Sequence, residues 1–312
     1  MKGSLPIVFM GTSGFAVPIL QSLFDNYQVI AVVTQPDKPR GRGRVLSISE
    51  VKERALALNI PIHQPEKVRD TAFIIEVRKR KPQLIVVAAY GQILPRDLLE
   101  VPKMGCINVH ASLLPKYRGA APINWAIAEG ESETGVTTII MDEGMDTGPI
   151  LLRRAIPIGP KDTAHSLGEK LGKVGAEVIV DTVGGLERGK IRPMPQEARE
   201  ATYAPPLKKE DGRIDWRQPA IVLHRRMRAM SPWPGTFTRL GGKILKVFWA
   251  EVDETSHSQP PGCVLDVGSH GIRVATGEGQ LVLKEVQLEG KKRLPVREFL
   301  LGHPIDAGAI LE

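Results

Sequence analysis

The chain has 312 residues, 42% apolar and 25% charged, which excludes bulk disorder and is long enough for about two domains. Its net charge of +7 leans toward a polyanionic partner, although the basic excess is spread over both halves, so local clusters matter more than the total. Cys106 and Cys263 are the only cysteines, with no CxxC or mixed Cys/His spacing, so neither a disulfide framework nor a structural metal is expected, and a reducing compartment is the default.

Residues 5–10 form a short apolar run ending at Gly11-Thr12-Ser13-Gly14, and residues 15–24 follow with helical periodicity. Strand, glycine turn and helix are the opening of a doubly wound α/β domain. The run is too short for a signal-peptide core, and no apolar stretch reaches the roughly 20 residues that span a bilayer. A soluble, cytoplasmic chain with no membrane partner is expected. Gly11 and Gly14 resemble a dinucleotide fingerprint, but Ser13 and Ala16 break its G-x-G-x-x-G pattern, and a tight turn explains the glycines equally well.

Residues 29–34 read as a second strand. It leads into Gln35-Pro36-Asp37-Lys38-Pro39-Arg40-Gly41-Arg42-Gly43-Arg44, a loop that is either a solvated connection or an arm reaching phosphates. A helix at 51–58, an edge strand at 60–62 and an amphipathic helix at 71–80 come next. The β-rich run 84–89 must be buried on both faces, and Tyr90-Gly91-Gln92-Ile93-Leu94-Pro95 follows it. Ligands of open α/β sheets lie beyond the carboxyl ends of strands, so this segment should border a pocket. Its apolar side chains would suit a flat heterocycle, with plain packing as the commoner use.

Residues 105–115 begin as a strand whose alternation puts Asn108 and His110 on one face. An amide and an imidazole projecting together are the usual parts for holding a carbonyl and moving a proton. A glycine-bearing loop at 116–122 precedes a helix at 123–129. The strand at 134–141 ends in Asp142-Glu143-Gly144-Met145-Asp146-Thr147-Gly148, where Asp146 either caps a turn or orients His110. A strand at 150–156 and a helix at 163–186 close the first domain.

The polar, proline-bearing stretch 192–209 marks a linker. Beyond it, an amphipathic helix at 220–230 carries Arg225, Arg226 and Arg228. Short strands at 236–240, 243–250, 262–267, 271–275 and 280–288 suggest a small barrel of a kind that often binds oligonucleotides.

Asn108-Val109-His110, Ser112-Leu113-Leu114-Pro115, Arg118-Gly119-Ala120-Ala121-Pro122-Ile123 and Asp142-x-Gly144-x-Asp146-Thr147-Gly148-Pro149 resemble the folate-dependent formyltransferases. The likeness runs through nearly the whole chain, including Gly11-Thr12, Gln35-Pro36-Asp37, Ala204-Pro205 and Ser231-Pro232-Trp233-Pro234-Gly235. Ala111, where many members have proline, is the one departure.

The resemblance implies an α/β fold: a doubly wound, mainly parallel Rossmann-like domain at 1–190, a linker at 191–207 and an OB-like β-barrel at 208–312. It implies transfer of a formyl group from 10-formyltetrahydrofolate to the α-amino group of methionine on initiator tRNA. The catalytic set would be Asn108, His110 and Asp146, without a metal or a covalent enzyme intermediate. Ser112, Leu113, Leu114 and Pro115 would contact folate, with Tyr90, Gln92, Ile93, Leu94 and Asp142 as pocket walls. Arg40, Arg42 and Arg44 would approach the acceptor stem, Arg42 foremost, and Lys208, Lys209, Arg225 and Arg228 are expected on the tRNA backbone. Transfer to another small-molecule amine, a formate-releasing hydrolase and a noncatalytic RNA-binding protein are the alternatives. A monomer is the default.

Overall fold

The computed structural model describes residues 3–40 and 45–312. They divide into two compact units. The first holds Met1–Pro122, Glu133–Pro157 and Ser166–Pro205, and the second holds Ile123–Ser132, Ile158–His165 and Pro206–Glu312.

The chain runs through β1 (Pro6–Gly11), α1 (Ala16–Asn26), β2 (Gln28–Val33), β3 (Lys38–Arg40), β4 (Val45–Ser47), α2 (Glu50–Ala57), β5 (Ile62–His63) and α3 (Thr71–Lys79). Next come β6 (Leu84–Ala88), α4 (Arg96–Leu99), β7 (Cys106–His110), β8 (Arg118–Gly119) and α5 (Pro122–Ala128). β9 (Glu133–Ile140), β10 (Ile150–Pro157), α6 (Ala164–Glu187) and β11 (Tyr203–Ala204) follow.

One sheet organises the first unit, in the order β10-β9-β7-β6-β1-β2-β5. Its strands are parallel from β5 across to β7, and β9 and β10 are antiparallel. β6 is buried at every position, as a central strand covered on both faces must be, whereas the edge strand β10 alternates along most of its length. A Cβ on Gly11 would lie 3.0 Å from both the Ala88 oxygen and the Ala16 Cβ. Close packing of strand and helix therefore requires that glycine.

Two local features differ from the sequence reading. The segment after β2 is a hairpin at its ends, with Lys38 opposite Ser47. Its base is anchored by Asp37, which accepts from Lys52 Nζ at 2.6 Å and Gln64 Nε2 at 2.8 Å. These hydrogen bonds, Lys52's foremost, hold the Asp37 carboxyl below its ordinary range. The helix α4 also went unread, since four residues give no usable periodicity.

The second unit contains α7 (Ala220–Ala229), β12 (Thr236–Leu240), β13 (Lys243–Asp253), β14 (Val264–Gly268), β15 (Gly271–Ala275), β16 (Gln280–Leu288), β17 (Leu294–Pro295) and α8 (Val296–Gly302). Its antiparallel sheet has the order β12-β13-β16-β15-β14, with β17 added to β16. Alternate residues of these strands form a core with Trp216, Leu223, Met227 and Phe299. The buried Trp216 indole donates to Thr238 Oγ1 at 3.0 Å, so burial leaves its N–H satisfied. β12 and β14 would be open edges. Leu311 bridges Leu240 beside one, and Ile310 bridges Cys263 beside the other. The terminal residues thus close the sheet into a barrel and remove both edges. Among the described residues, no helix is long and apolar enough to cross a membrane.

Candidate active site

The site grows out of the alternation of β7. Cys106 joins the apolar cluster that includes Val8, Met10, Val87 and Phe73. Two and four residues later, on the same face, stand Asn108 and His110. The opposite face stays apolar, with Val109 Cγ1 3.3 Å from where a Cβ on Gly175 of α6 would lie. One face of one strand therefore changes from core to polar chemistry as it reaches the carboxyl edge of the sheet, where Asn108 is in register with Val87 and Ile139.

Asp146 arrives from the loop between β9 and β10. Its Oδ1 accepts from Asn108 Nδ2 at 2.9 Å, and its Oδ2 accepts from the Gly119 backbone N–H at 2.9 Å. Oδ2 also lies 3.5 Å from His110 Nδ1. On the other side of the ring, His110 Nε2 is 2.9 Å from the Tyr117 carbonyl oxygen. A carbonyl only accepts, so Nε2 carries a proton and Nδ1, the nitrogen facing Asp146, is the one free to gain or lose one. His110 is 5% exposed, which keeps these contacts out of bulk water.

The Asp146 loop tolerates little change. A Cβ on Gly148 would overlap the Ile140 carbonyl oxygen, and one on Gly144 would overlap Thr147 Oγ1. Asp142 Oδ1 accepts from the Gly144 N–H at 3.0 Å and the Thr147 hydroxyl at 2.7 Å, tying the turn. Gly148→Ala should therefore displace the loop. The expected result is a loss of about 1–3 kcal/mol of stability, the usual cost of overpacking, together with a fall in turnover. Thermal unfolding and steady-state kinetics check this; an unchanged midpoint would contradict it.

The other expected residues separate sharply. Ser112 is buried and its hydroxyl donates to the Lys116 carbonyl at 2.6 Å, while Thr137 Oγ1 donates to the Ser112 carbonyl at 2.6 Å and accepts from Leu114 N–H at 3.1 Å. These bonds hold the 112–116 loop against β9. Leu113 stays half-buried beside Gly135, and Pro115 is buried.

Three of the expected folate contacts have buried side chains. The side chains of Leu114, Tyr90 and Leu94 are core: Leu114 packs with Ile139 and Ile150, and Tyr90 and Leu94 join the cluster beneath the sheet. Burial pushes the Tyr90 phenol up to about 12, and only its carbonyl is put to use, accepting from Thr12 Oγ1 at 3.0 Å and Gln35 Nε2 at 3.3 Å. The Gln92 amide is likewise engaged with the backbone, accepting from Val68 N–H at 2.8 Å and donating to Glu66 O at 3.2 Å. Ile93, between them, is 75% exposed, and Met145 in the facing loop is 56% exposed. Arg96 Nε lies 3.7 Å from Glu143 Oε1, so these two segments border one edge.

Among the bases, Lys208 and Lys209 are exposed. Arg42 and Arg44, and the side chain of Arg40, lie outside the described residues. Arg225 is half-buried, with its guanidinium where a Gly130 side chain would stand. Arg228 is 9% exposed, and its Nη1 donates to the Asp162 carbonyl at 2.9 Å. Burial pulls its pKa below the ordinary value.

Sequence reasoning missed Gln196, Arg118 and Thr202. Gln196 Nε2 donates to the carbonyls of Asp146 at 2.8 Å and Gly148 at 2.7 Å, and its Oε1 accepts from Arg118 Nη2 at 2.7 Å. Thr202 Oγ1 accepts from Tyr117 N–H at 2.8 Å. Farther along, β11 pairs in parallel with β8, Tyr203 opposite Arg118. The proline-bearing composition of 192–209 carried no signal of this, because the pairing partner lies about 80 residues away in sequence. No group of three or more His, Cys, Asp or Glu that could hold a metal ion occurs among the described residues.

Residues 5–183 match the family described as formyl transferase, and residues 206–304 match formyl transferase, C-terminal domain. The chain is 49% identical over 306 residues to the methionyl-tRNA formyltransferase of Trichlorobacter lovleyi, covering 98% of this chain and 96% of that one. It is 52% identical over 308 residues to the methionyl-tRNA formyltransferase of Caldanaerobacter subterraneus subsp. tengcongensis, covering 98% and 99%. In fold it is similar to HypX from Aquifex aeolicus in complex with tetrahydrofolic acid, with a TM-score of 0.64 at 20% identity over 94% of this chain and 46% of that one. It is also similar in fold to a methionyl-tRNA formyltransferase from Clostridium thermocellum, with a TM-score of 0.55 at 20% identity over 79% of this chain and 93% of that one. By its matched domains and its full-length relatives, the chain is an enzyme that belongs to the methionyl-tRNA formyltransferase family of formyl transferases.

Proposed function

We propose that the chain transfers the formyl group of 10-formyltetrahydrofolate to the α-amino group of methionine on initiator tRNA. The observation that carries this reading is the Asp146 carboxylate joining Asn108 and facing His110 at the sheet's carboxyl edge, in a chain whose full-length relatives are methionyl-tRNA formyltransferases.

The side chains have defined work in such a reaction. The attacking amine must be neutral, and a free α-amino group titrates near roughly 7.7–8.0, so little prior proton removal is needed. An asparagine amide has two N–H donors. Asn108 spends one on Asp146 and keeps the other for the oxygen on which negative charge develops. His110 Nδ1 takes the proton released by the attacking amine and returns it to the departing folate nitrogen, so one N–C bond forms, one breaks, and no net proton is consumed. The Tyr117 carbonyl holds the ring in the tautomer this requires, and the Asp146 carboxylate steadies the imidazolium between the two transfers.

The donor set suits a pterin. Exposed Ile93 and Met145 supply apolar cover for a flat ring at the edge that also carries the polar trio. For the acceptor, exposed Lys208 and Lys209 and the bases Arg40, Arg42 and Arg44 offer positive charge to phosphates, so tRNA affinity should fall as salt rises. The reaction belongs to the cytoplasm, and one chain suffices for it.

The test is formyl transfer to initiator methionyl-tRNA, measured beside unacylated tRNA and free methionine. Transfer confined to methionyl-tRNA supports the reading. Equal use of free methionine, or formate release without any acceptor, would overturn it.

A further inference from the structure

Asp146 has φ +55°, in the left-handed region that a non-glycine residue occupies only when its surroundings impose it. That conformation aims the carboxylate at Asn108, Gly119 and His110. Its other end is gripped by Gln196, whose Nε2 donates to the Asp146 carbonyl at 2.8 Å and the Gly148 carbonyl at 2.7 Å. The amide orientation is forced, because two carbonyls demand the NH₂ group. The Oε1 side meets Arg118, which donates from Nε at 3.1 Å and Nη2 at 2.7 Å. Arg118 is only 6% exposed, and the next residue, Gly119, supplies the N–H that binds Asp146 Oδ2. A closed ring results, from carboxylate to Gly119, through the Arg118 side chain to the Gln196 amide, and back to the Asp146 carbonyl.

We infer that Gln196 is a positioning residue for the reaction: it fixes the backbone of Asp146 so that the carboxylate meets Asn108 and His110 together. It touches neither His110 nor Asn108 and acts only through Asp146. The inference rests on the proposed role of Asp146.

Gln196→Glu tests it with little change of shape. The glutamate keeps an oxygen for Arg118, and pairs with it more strongly, but it has no donor for the two carbonyls and repels them. Since a misplacement of about 1 Å can cost on the order of 10²-fold in rate, kcat should fall about 10- to 100-fold. KM for the folate donor and for the tRNA acceptor should stay within about twofold of the parent, as should the folded fraction by thermal unfolding. Gln196→Met, of similar length and without either polar atom, serves if the glutamate variant does not fold, with the same loss in kcat expected. A parental kcat, or a loss carried by KM alone, overturns the inference. Asp146→Asn is measured in parallel. If it is inactive while Gln196→Glu keeps the parental kcat, the positioning role alone fails; if Asp146→Asn is itself near parental, the proposed site fails first.

Discussion

Asp146→Asn is expected to lower turnover by about 10²–10⁴-fold while donor binding changes little. The carboxylate accepts on both oxygens, from Asn108 Nδ2 at one and Gly119 N–H at the other. An asparagine keeps one acceptor and gains an NH₂ group, so whichever way it turns, that group confronts one of those N–H donors. Either Asn108 loses the partner that orients its second N–H or the Gly119 N–H loses its acceptor, and in both cases the imidazolium loses the adjacent negative charge. Loss of one oxyanion donor typically costs about 10²–10³ in rate, and loss of general acid–base work about 10²–10⁴. Steady-state kinetics with methionyl-tRNA, beside titration of the folate donor, checks the split. Turnover close to that of the parent would sink the assignment of the site.

His110→Ala should be as severe for turnover, about 10²–10⁴-fold, and should also cost stability. The ring is buried and its Nε2–H serves the Tyr117 carbonyl. Its removal forfeits a net hydrogen bond of about 0.5–1.5 kcal/mol and leaves space where the imidazole was. A thermal midpoint lower by several degrees should accompany the kinetic loss. Added imidazole separates the two effects. Partial return of turnover at an unchanged midpoint identifies proton transfer as the missing element. Failure of imidazole to restore any turnover in a well-folded variant would contradict the proton-moving role.

The alternation of 106–110 was enough to place Asn108 and His110 on one face, since a strand's period of two is a local property. The same holds for many elements: β6, β7, α1, α3, α7 and β12 to β16 follow from runs and periods within a dozen residues. The side chains of 90–94 were not legible in that way. Tyr90, Ile93 and Leu94 are all apolar, yet two are core and one is 75% exposed. Which of them turns inward depends on how the chain leaves β6, where Ala89 has φ +44°. Composition carries no record of that angle. Arg228 and Lys208 are equally basic in sequence, but carbonyls of residues 159 and 162 happen to face the one and solvent the other.

The sequence by itself determined the order of most of the longer strands and helices, the shared face of Asn108 and His110, and the glycine-rich turn that could carry an acid to them. Only the tertiary structure decided that the Asp146 carboxylate meets both, that Gln196 and β11 hold the loops around it, and that residues 310–311 close the barrel. The reason is physical. Period and propensity act over neighbouring residues, whereas these contacts join segments about 30 to 80 residues apart, and those of Gln196, β11 and residues 310–311 are hydrogen bonds to backbone groups. Every residue but proline carries the same backbone donor and acceptor, so no residue type announces in advance which of them will be used.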